Sequence, residues 1–299
     1  MVNHKNLLIL PLVVYLLLYR LILSKTVKHR ELSMNTSTET NNDYSHLSTE
    51  SFAKPQLSEI ALAVCINGIS QSVMMVSDTD LEDFAVGFAL SEGFIKTIDE
   101  VRDITVEKLN QGKQINLTVS SQAEYSLKKR RRTLAGPTGC GLCGLESINE
   151  VMCLPTIFSH QQIELESSQN QKQEVPNANI ILSAKSSLDQ LQQKYNGVRG
   201  NHCAAYFDLQ GNNIGYREDV GRHSALDKLI GYLAKNTVET NGFVMLSSRC
   251  SHDLVAKTAR AKLPILITLA QPTNLAVSSA LQTGLALFSF HQGQLKRFA

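Results

Sequence analysis

Between Cys203 and Phe290, short apolar runs alternate with amphipathic stretches of helix length. That alternation restricts the possible fold more than any other feature of the chain. Residues 203–209 and 214–217 read as a strand pair around Gln210-Gly-Asn-Asn, and residues 243–246, 264–269 and 285–290 as three further strands. Residues 224–235 place Leu226, Leu229, Ile230 and Leu233 on one helical face. Ser251 opens a second helix to about Lys262, and residues 275–283 form a third, stopped by Gly284. Strands separated by helices cannot pair as hairpins. This half therefore predicts a β-α-β-α-β order and an α/β sandwich with a parallel component.

The preceding half is patterned differently. Residues 57–76 alternate as two strands around the hairpin signal Asn67-Gly68. Thr79-Asp80-Leu81-Glu82 has capping-box spacing, and Leu81, Phe84, Ala85 and Phe88 follow on one helical face that ends near Gly93. Residues 101–107 and 114–120 read as strands, and a short helix is expected from Leu145 to about Met152. The Gln-, Ser- and Asn-rich stretch 159–179, with Pro176, reads as a linker, and a helix is expected over 186–195. The expected organisation is a leader and loose N-terminus over 1–56, a smaller α+β part over 57–158, the linker, and an α/β part over 180–299.

Residues 1–30 hold five basic residues and no acid, so the rest of the chain carries 24 basic against 27 acidic residues, a net of −3. A mildly acidic body does not imply nucleic-acid binding. Leu7–Tyr19 is an apolar run too short for an ordinary membrane span, and no small-residue cleavage site follows it. Lys25, Lys28 and Arg30 behind it would hold the body on the cytoplasmic side if the run were an anchor. Alternatively, Met34 is the true first residue. Both readings place the body in the cytoplasm.

Six cysteines stand in the chain, and only Cys140 and Cys143 form a close pair, in Gly139-Cys-Gly-Leu-Cys-Gly144. Cys65, in an apolar run, reads as a core residue, and Cys153, Cys203 and Cys250 are expected to be buried as well. Around the pair, glycines permit an exposed backbone. The basic run Lys128–Arg132 before it and the expected helix after it both favour thiolate over thiol. A thiolate can attack sulfur. The same spacing also suits half of a zinc site, although no second Cys-x-x-Cys is present, or a dithiol oxidoreductase lacking the usual strand order. A zinc deaminase is excluded. At His202-Cys203-Ala204 the position needed for the proton-carrying Glu is Ala204.

Several stretches together resemble one family: DLEDFAVGFALSEGFI (80–95), CGLCG (140–144), HCAA (202–205), REDVGRHSALDK (217–228), SSRCSHDLVAKTARA (247–261) and PILITLAQPTNLAV (264–277). In this order they resemble the FdhD family of formate dehydrogenase accessory proteins. The chain departs from the family pattern at Gly139, Ser224 and Ser248, and it lacks the Arg usual near Gln292. The resemblance implies a sulfur carrier that takes sulfur from a cysteine desulfurase as a persulfide. It would pass the sulfur to the molybdenum cofactor, molybdopterin guanine dinucleotide, bound as a client before insertion into formate dehydrogenase. It also implies a cytidine-deaminase-like three-layer sandwich in the second half, a homodimer and no metal of the protein's own.

Cys140 is then the candidate sulfur-bearing residue and Cys143 its helper. Phe290, His291, Gln292, Gly293, Gln294 and Leu295 match the stretch with which the family holds the cofactor. Arg222 and His223 before one helix, and Arg249 before another, suit its phosphates. Asp219 could orient one of them, and His202 is a further candidate. The competing reading is a zinc-binding scaffold for the dehydrogenase that transfers no sulfur.

Overall fold

The computed structural model describes residues 58–134, 152–155, 175–195, 200–291 and 293–299. All of them lie in the unit Lys54–Ala299; the unit Met1–Ala53, with the leader and Met34, lies outside the described residues. So do the linker residues 159–174 and, of the helix expected from Leu145 to about Met152, residues 145–151. Among the described residues no helix is long and apolar enough to cross a membrane.

The first sheet comprises β1 (Ile60–Ile66), β2 (Ile69–Val76), β3 (Val101–Leu109) and β4 (Gly112–Val119), in the order β2-β1-β4-β3. The β1–β2 turn is the expected one. Asn67 and Gly68 both take positive φ, 48° and 75°, which fits the hairpin twist. Alternate residues Leu62, Val64 and Ile66 of β1 and Ile115 and Leu117 of β4 face inward. They pack on Phe84, Ala85 and Phe88 of α1 (Leu81–Ser91) and on Ala123 and Leu127 of α2 (Ser121–Leu134).

The capping box at 79–82 does not form. Asp80 occupies the N-cap position in left-handed conformation with no side-chain cap bond. Thr79 Oγ1 instead accepts from Lys228 Nζ at 3.4 Å, and Glu82 pairs with Lys235 at 3.0 Å. Tertiary partners have taken the side chains that local pattern assigned to the cap. The basic run 128–132 belongs to α2.

The second sheet is built from β5 (His202–Phe207), β6 (Asn213–Asp219), β7 (Phe243–Arg249), β8 (Ile265–Ala270), β9 (Ala286–His291) and β10 (Gln294–Arg297). Their order is β10-β9-β8-β7-β5-β6. β7, β8 and β9 are parallel, and β5 is antiparallel to both β6 and β7. The mixed α/β class and its parallel component are as expected. β10 was not expected; the turn at Gly293, φ 77°, folds it back on β9.

Helices cover both faces of this sheet. Ala204, Tyr206, Val244, Leu246, Leu266 and Leu287 pack on α4 (Arg222–Lys235), α5 (His252–Arg260) and α6 (Asn274–Thr283). Their sequence neighbours Ala205, Phe207, Met245, Ile267 and Phe288 pack on α3 (Ala178–Tyr195) through Ile181, Ala184 and Leu188. Because both faces are buried, these strands read as continuous apolar runs instead of alternating ones. α3 begins eight residues before the expected 186. Asn177 Oδ1 accepts the Ile180 N–H at 3.0 Å, which starts the helix early.

α1 crosses α4 with backbones in contact. A Cβ on Gly87 would stand 1.7 Å from the Asp227 carbonyl oxygen, and one on Gly231 1.8 Å from that of Asp83. No other residue fits at either position. Arg217 Nη2 pairs with Asp83 at 2.6 Å while its guanidinium lies 4.1 Å from the centre of the Tyr232 ring. Lys257 reaches Asp227 at 2.9 Å, Glu92 at 2.7 Å and Ser91 Oγ at 2.9 Å. Burial works against the Lys257 ammonium, but Asp227 and Glu92 outweigh it and hold its pKa above the ordinary lysine value. Much of the motif sequence at 80–95, 217–228 and 247–261 thus serves this crossing.

Candidate functional site

β6, β7, β8 and β9 run in one direction, so their last residues Asp219, Arg249, Ala270 and His291 lie along one edge of the second sheet. α4, α5 and α6 begin at that edge. His202, the first residue of β5, joins it by pairing with Asp219. Open α/β sheets bind ligands at such C-terminal strand ends.

Asp219 organises the turn into α4. Its Oδ1 accepts the Gly221 N–H at 2.8 Å, and its Oδ2 accepts the Ser77 N–H at 2.9 Å and pairs with Lys228 Nζ at 2.7 Å. Lys228 also donates to the carbonyls of Ser77 at 3.1 Å and Glu218 at 3.3 Å. Sequence reading singled out Asp219 but missed Lys228 and Ser77. Helical periodicity offered no signal for Lys228, which stands away from the face formed by Leu226, Leu229, Ile230 and Leu233 and is buried only by long-range partners.

The turn presents Arg222 and His223, which are the first residues of α4 and not loop residues before it. Arg222 Nε is buried without a hydrogen-bond partner among the described residues. His223 Nε2 stands 3.5 Å from Ser251 Oγ and 3.9 Å from Asp253 Oδ2. Burial, then the charge of Arg222, lower the pKa of His223, with Asp253 opposing. The same two causes lower His202, with Asp219 opposing. Both imidazoles are therefore mainly neutral at pH 7 beside one guanidinium, and an anion placed there would favour their protonation.

The other predicted residues are divided. Arg249 ends β7 and is exposed. Ser251 holds the N-cap position of α5 without a side-chain cap bond. Phe290 faces the α3 side of the sheet, in the core with Phe288, and Leu295 pairs with it and packs there too. Gly293 is in the β9–β10 turn, Gln294 pairs with His291, and Gln292 lies outside the described residues. Arg222 and His223 thus belong to the α4 side and Phe290 to the opposite face. The two sets share only the sheet edge.

Cys140 and Cys143 lie outside the described residues. Among the other cysteines, Cys65, Cys203 and Cys250 are buried, as expected. Burial pushes the thiols of Cys203 and Cys250 up to about 12, which keeps them protonated. Cys153 departs from expectation and is exposed. It follows Cys140 and Cys143 in sequence, and its carbonyl accepts from Arg260 Nη2 at 3.2 Å at the surface.

The sequence profile described as the FdhD/NarQ family matches residues 57–298. A relative in Acinetobacter baylyi named sulfur carrier protein FdhD is 40% identical over 233 residues, covering 78% of this chain and 81% of the relative. A relative of the same name in Burkholderia mallei is 42% identical over 237 residues, covering 78% and 83%. The fold matches a crystal structure from Desulfotalea psychrophila, assigned as a formate dehydrogenase accessory protein. That match has a TM-score of 0.56 and 23% identity, and covers 81% of this chain and 86% of the other.

Proposed function

The chain belongs to the FdhD/NarQ family, and from that premise we propose that it is a sulfur carrier serving formate dehydrogenase, with Cys140 holding the sulfur as a persulfide. The observation that carries this reading is the 40% and 42% identity, through 78% of this chain, to proteins named sulfur carriers.

In this reading the Cys140 thiolate attacks the terminal sulfur of a persulfide on a cysteine desulfurase. The sulfur–sulfur bond of the donor breaks, its thiolate leaves, and the new bond forms on Cys140. The exchange needs neither oxidant nor reductant. On delivery, the Cys143 thiolate attacks the Cys140 sulfur and expels the terminal sulfur as hydrosulfide. The two electrons come from closing a Cys140–Cys143 disulfide, which a cellular dithiol reopens. The need for free thiols places the carrier in a reducing compartment, the cytoplasm.

The recipient is the molybdenum cofactor in its guanine dinucleotide form. Arg222, with its free buried Nε, suits a phosphate, assisted by His223 and Arg249. Gly293, in the turn between β9 and β10, offers backbone to the same client from across the sheet edge. A homodimer belongs to this reading, and light scattering of the purified protein tests it.

The deciding experiment loads the full chain with a desulfurase and cysteine and weighs it. The native protein gains one sulfur atom. Cys140→Ala gains none, and Arg222→Ala gains sulfur normally but binds GDP about tenfold more weakly. Sulfur loading retained in Cys140→Ala would overturn the assignment of the carrier residue.

A further inference from the structure

At the opposite edge of the second sheet, where β7 and β8 begin, a cavity of about 190 Å³ opens between the C-terminal ends of α4 and α5 and the segment after α1. Leu90, Ile230, Val238 and Leu263 supply its apolar floor, and Lys96, Arg260 and Lys262 its cationic rim. Arg260 spends its guanidinium on the carbonyls of Ser91 at 3.0 Å and Cys153 at 3.2 Å. Among the described residues none of the three cations has a carboxylate within ion-pair distance.

The helix ends around the cavity are unusual in one respect. α1, α4 and α5 finish with the same pair of reversed hydrogen bonds. These are Gly93 N–H to Leu90 O and Phe94 N–H to Ala89 O, Thr237 N–H to Ala234 O and Val238 N–H to Leu233 O, and Lys262 N–H to Ala259 O and Leu263 N–H to Thr258 O. This motif needs a left-handed residue, for which glycine is the ordinary choice. The chain uses Gly93 at α1 and Gly284 at α6, with φ 72° and 70°. At α4 and α5 it uses Thr237 and Lys262, with φ 49° and 57°, and both line the cavity. A β-branched Thr in this region is strained, and glycine would relieve it. Two of the helix ends that line the cavity thus keep a left-handed side chain where glycine would be less strained.

We propose that this cavity is a binding site for an amphiphilic anion, an apolar group of about the size of a substituted ring bearing a carboxylate. A dry cavity of roughly 150 Å³ takes a benzene ring, so the floor is large enough. The reversed hydrogen bonds occupy the carbonyls of Leu233, Ala234, Thr258 and Ala259, which lessens the negative character of these helix ends, and Lys96, Lys262 and Thr237 stand at the cavity as partners for the carboxylate. The site is separate from the Arg222 edge and does not rest on the sulfur-carrier reading.

The chain contains no Trp, so indole fluorescence reports a bound indole without background. Titration of the full chain with indole-3-acetate should show one site, with the uncharged indole-3-ethanol at least tenfold weaker. Lys262→Gly and Thr237→Gly should each weaken indole-3-acetate at least fivefold while raising Tm, because glycine removes strain as it removes the ligand contact. A competing peptide carrying Leu between two Glu residues distinguishes the source. Displacement of the indole assigns the anion to a partner protein, and failure to displace assigns it to a free small acid. Equal binding of acid and alcohol, unchanged affinity in both glycine variants, or no binding of either probe would overturn the proposal.

Discussion

Asp219 and Lys228 form an ion pair with no solvent exposure on either side chain, Oδ2 to Nζ 2.7 Å, and the same carboxylate ties the Arg222 turn to Ser77, 142 residues earlier. The two halves of the protein are therefore joined at the residue that also positions the candidate anion site.

Removing one member of such a pair leaves the other charge buried and unpaired, at a cost of about 3–5 kcal/mol. Lys228→Met should lose that much stability in urea unfolding. Asp219→Leu combined with Lys228→Met should lose clearly less than the sum of the single changes. Additive losses would mean that the two groups are not coupled.

The α1–α4 crossing predicts a sharp intolerance to a single methyl. Gly87→Ala or Gly231→Ala places Cβ within 1.8 Å of a main-chain oxygen, which no rotamer change relieves. Each should cost at least about 3 kcal/mol, the upper end of ordinary overpacking. The urea midpoint of each variant checks this, with α1 displaced from α4 wherever the variant still folds.

The cysteines should sort by reactivity. At pH 8 a thiol with a pKa of about 12 is ionised in roughly one molecule in ten thousand. Brief iodoacetamide treatment of the folded protein should therefore spare Cys203 and Cys250 and label exposed Cys153. Peptide mapping reads this directly. Cys203→Ala should leave sulfur loading unchanged.

The two lowered histidines give a stability that depends on pH. Their folded pKa values lie below the unfolded value of about 6.5, so the unfolded chain binds more protons in the interval between. That stability is complete above pH 6.5 and is lost as pH falls through the depressed folded values. The slope is at most about 1.4 kcal/mol per pH unit for each histidine. Urea unfolding at pH 7.5 and 5.5 should show the loss, and His202→Gln with His223→Gln should remove most of it. A phosphate bound at Arg222 favours the protonated rings, so GDP affinity should rise over the same fall in pH.

Local pattern was enough for most elements of this protein. The Asn67-Gly68 hairpin, the apolar face of α4 and the stop at Gly284 all follow from contacts within a few residues, and these are written in consecutive sequence. Tertiary structure decided where charge went. Thr79 and Glu82 carry a capping pattern, but their partners Lys228 and Lys235 arrive from more than a hundred residues away. Phe290 and Arg222 both read as candidates for one site, yet strand direction and the two-residue period of β9 put them on opposite faces of the sheet. Gly87 and Gly231 look like weak points in two helices until the crossing brings their backbones together. In each case the deciding term is a long-range contact. Local periodicity fixes which face of an element is apolar but not which distant polar group will meet the other face.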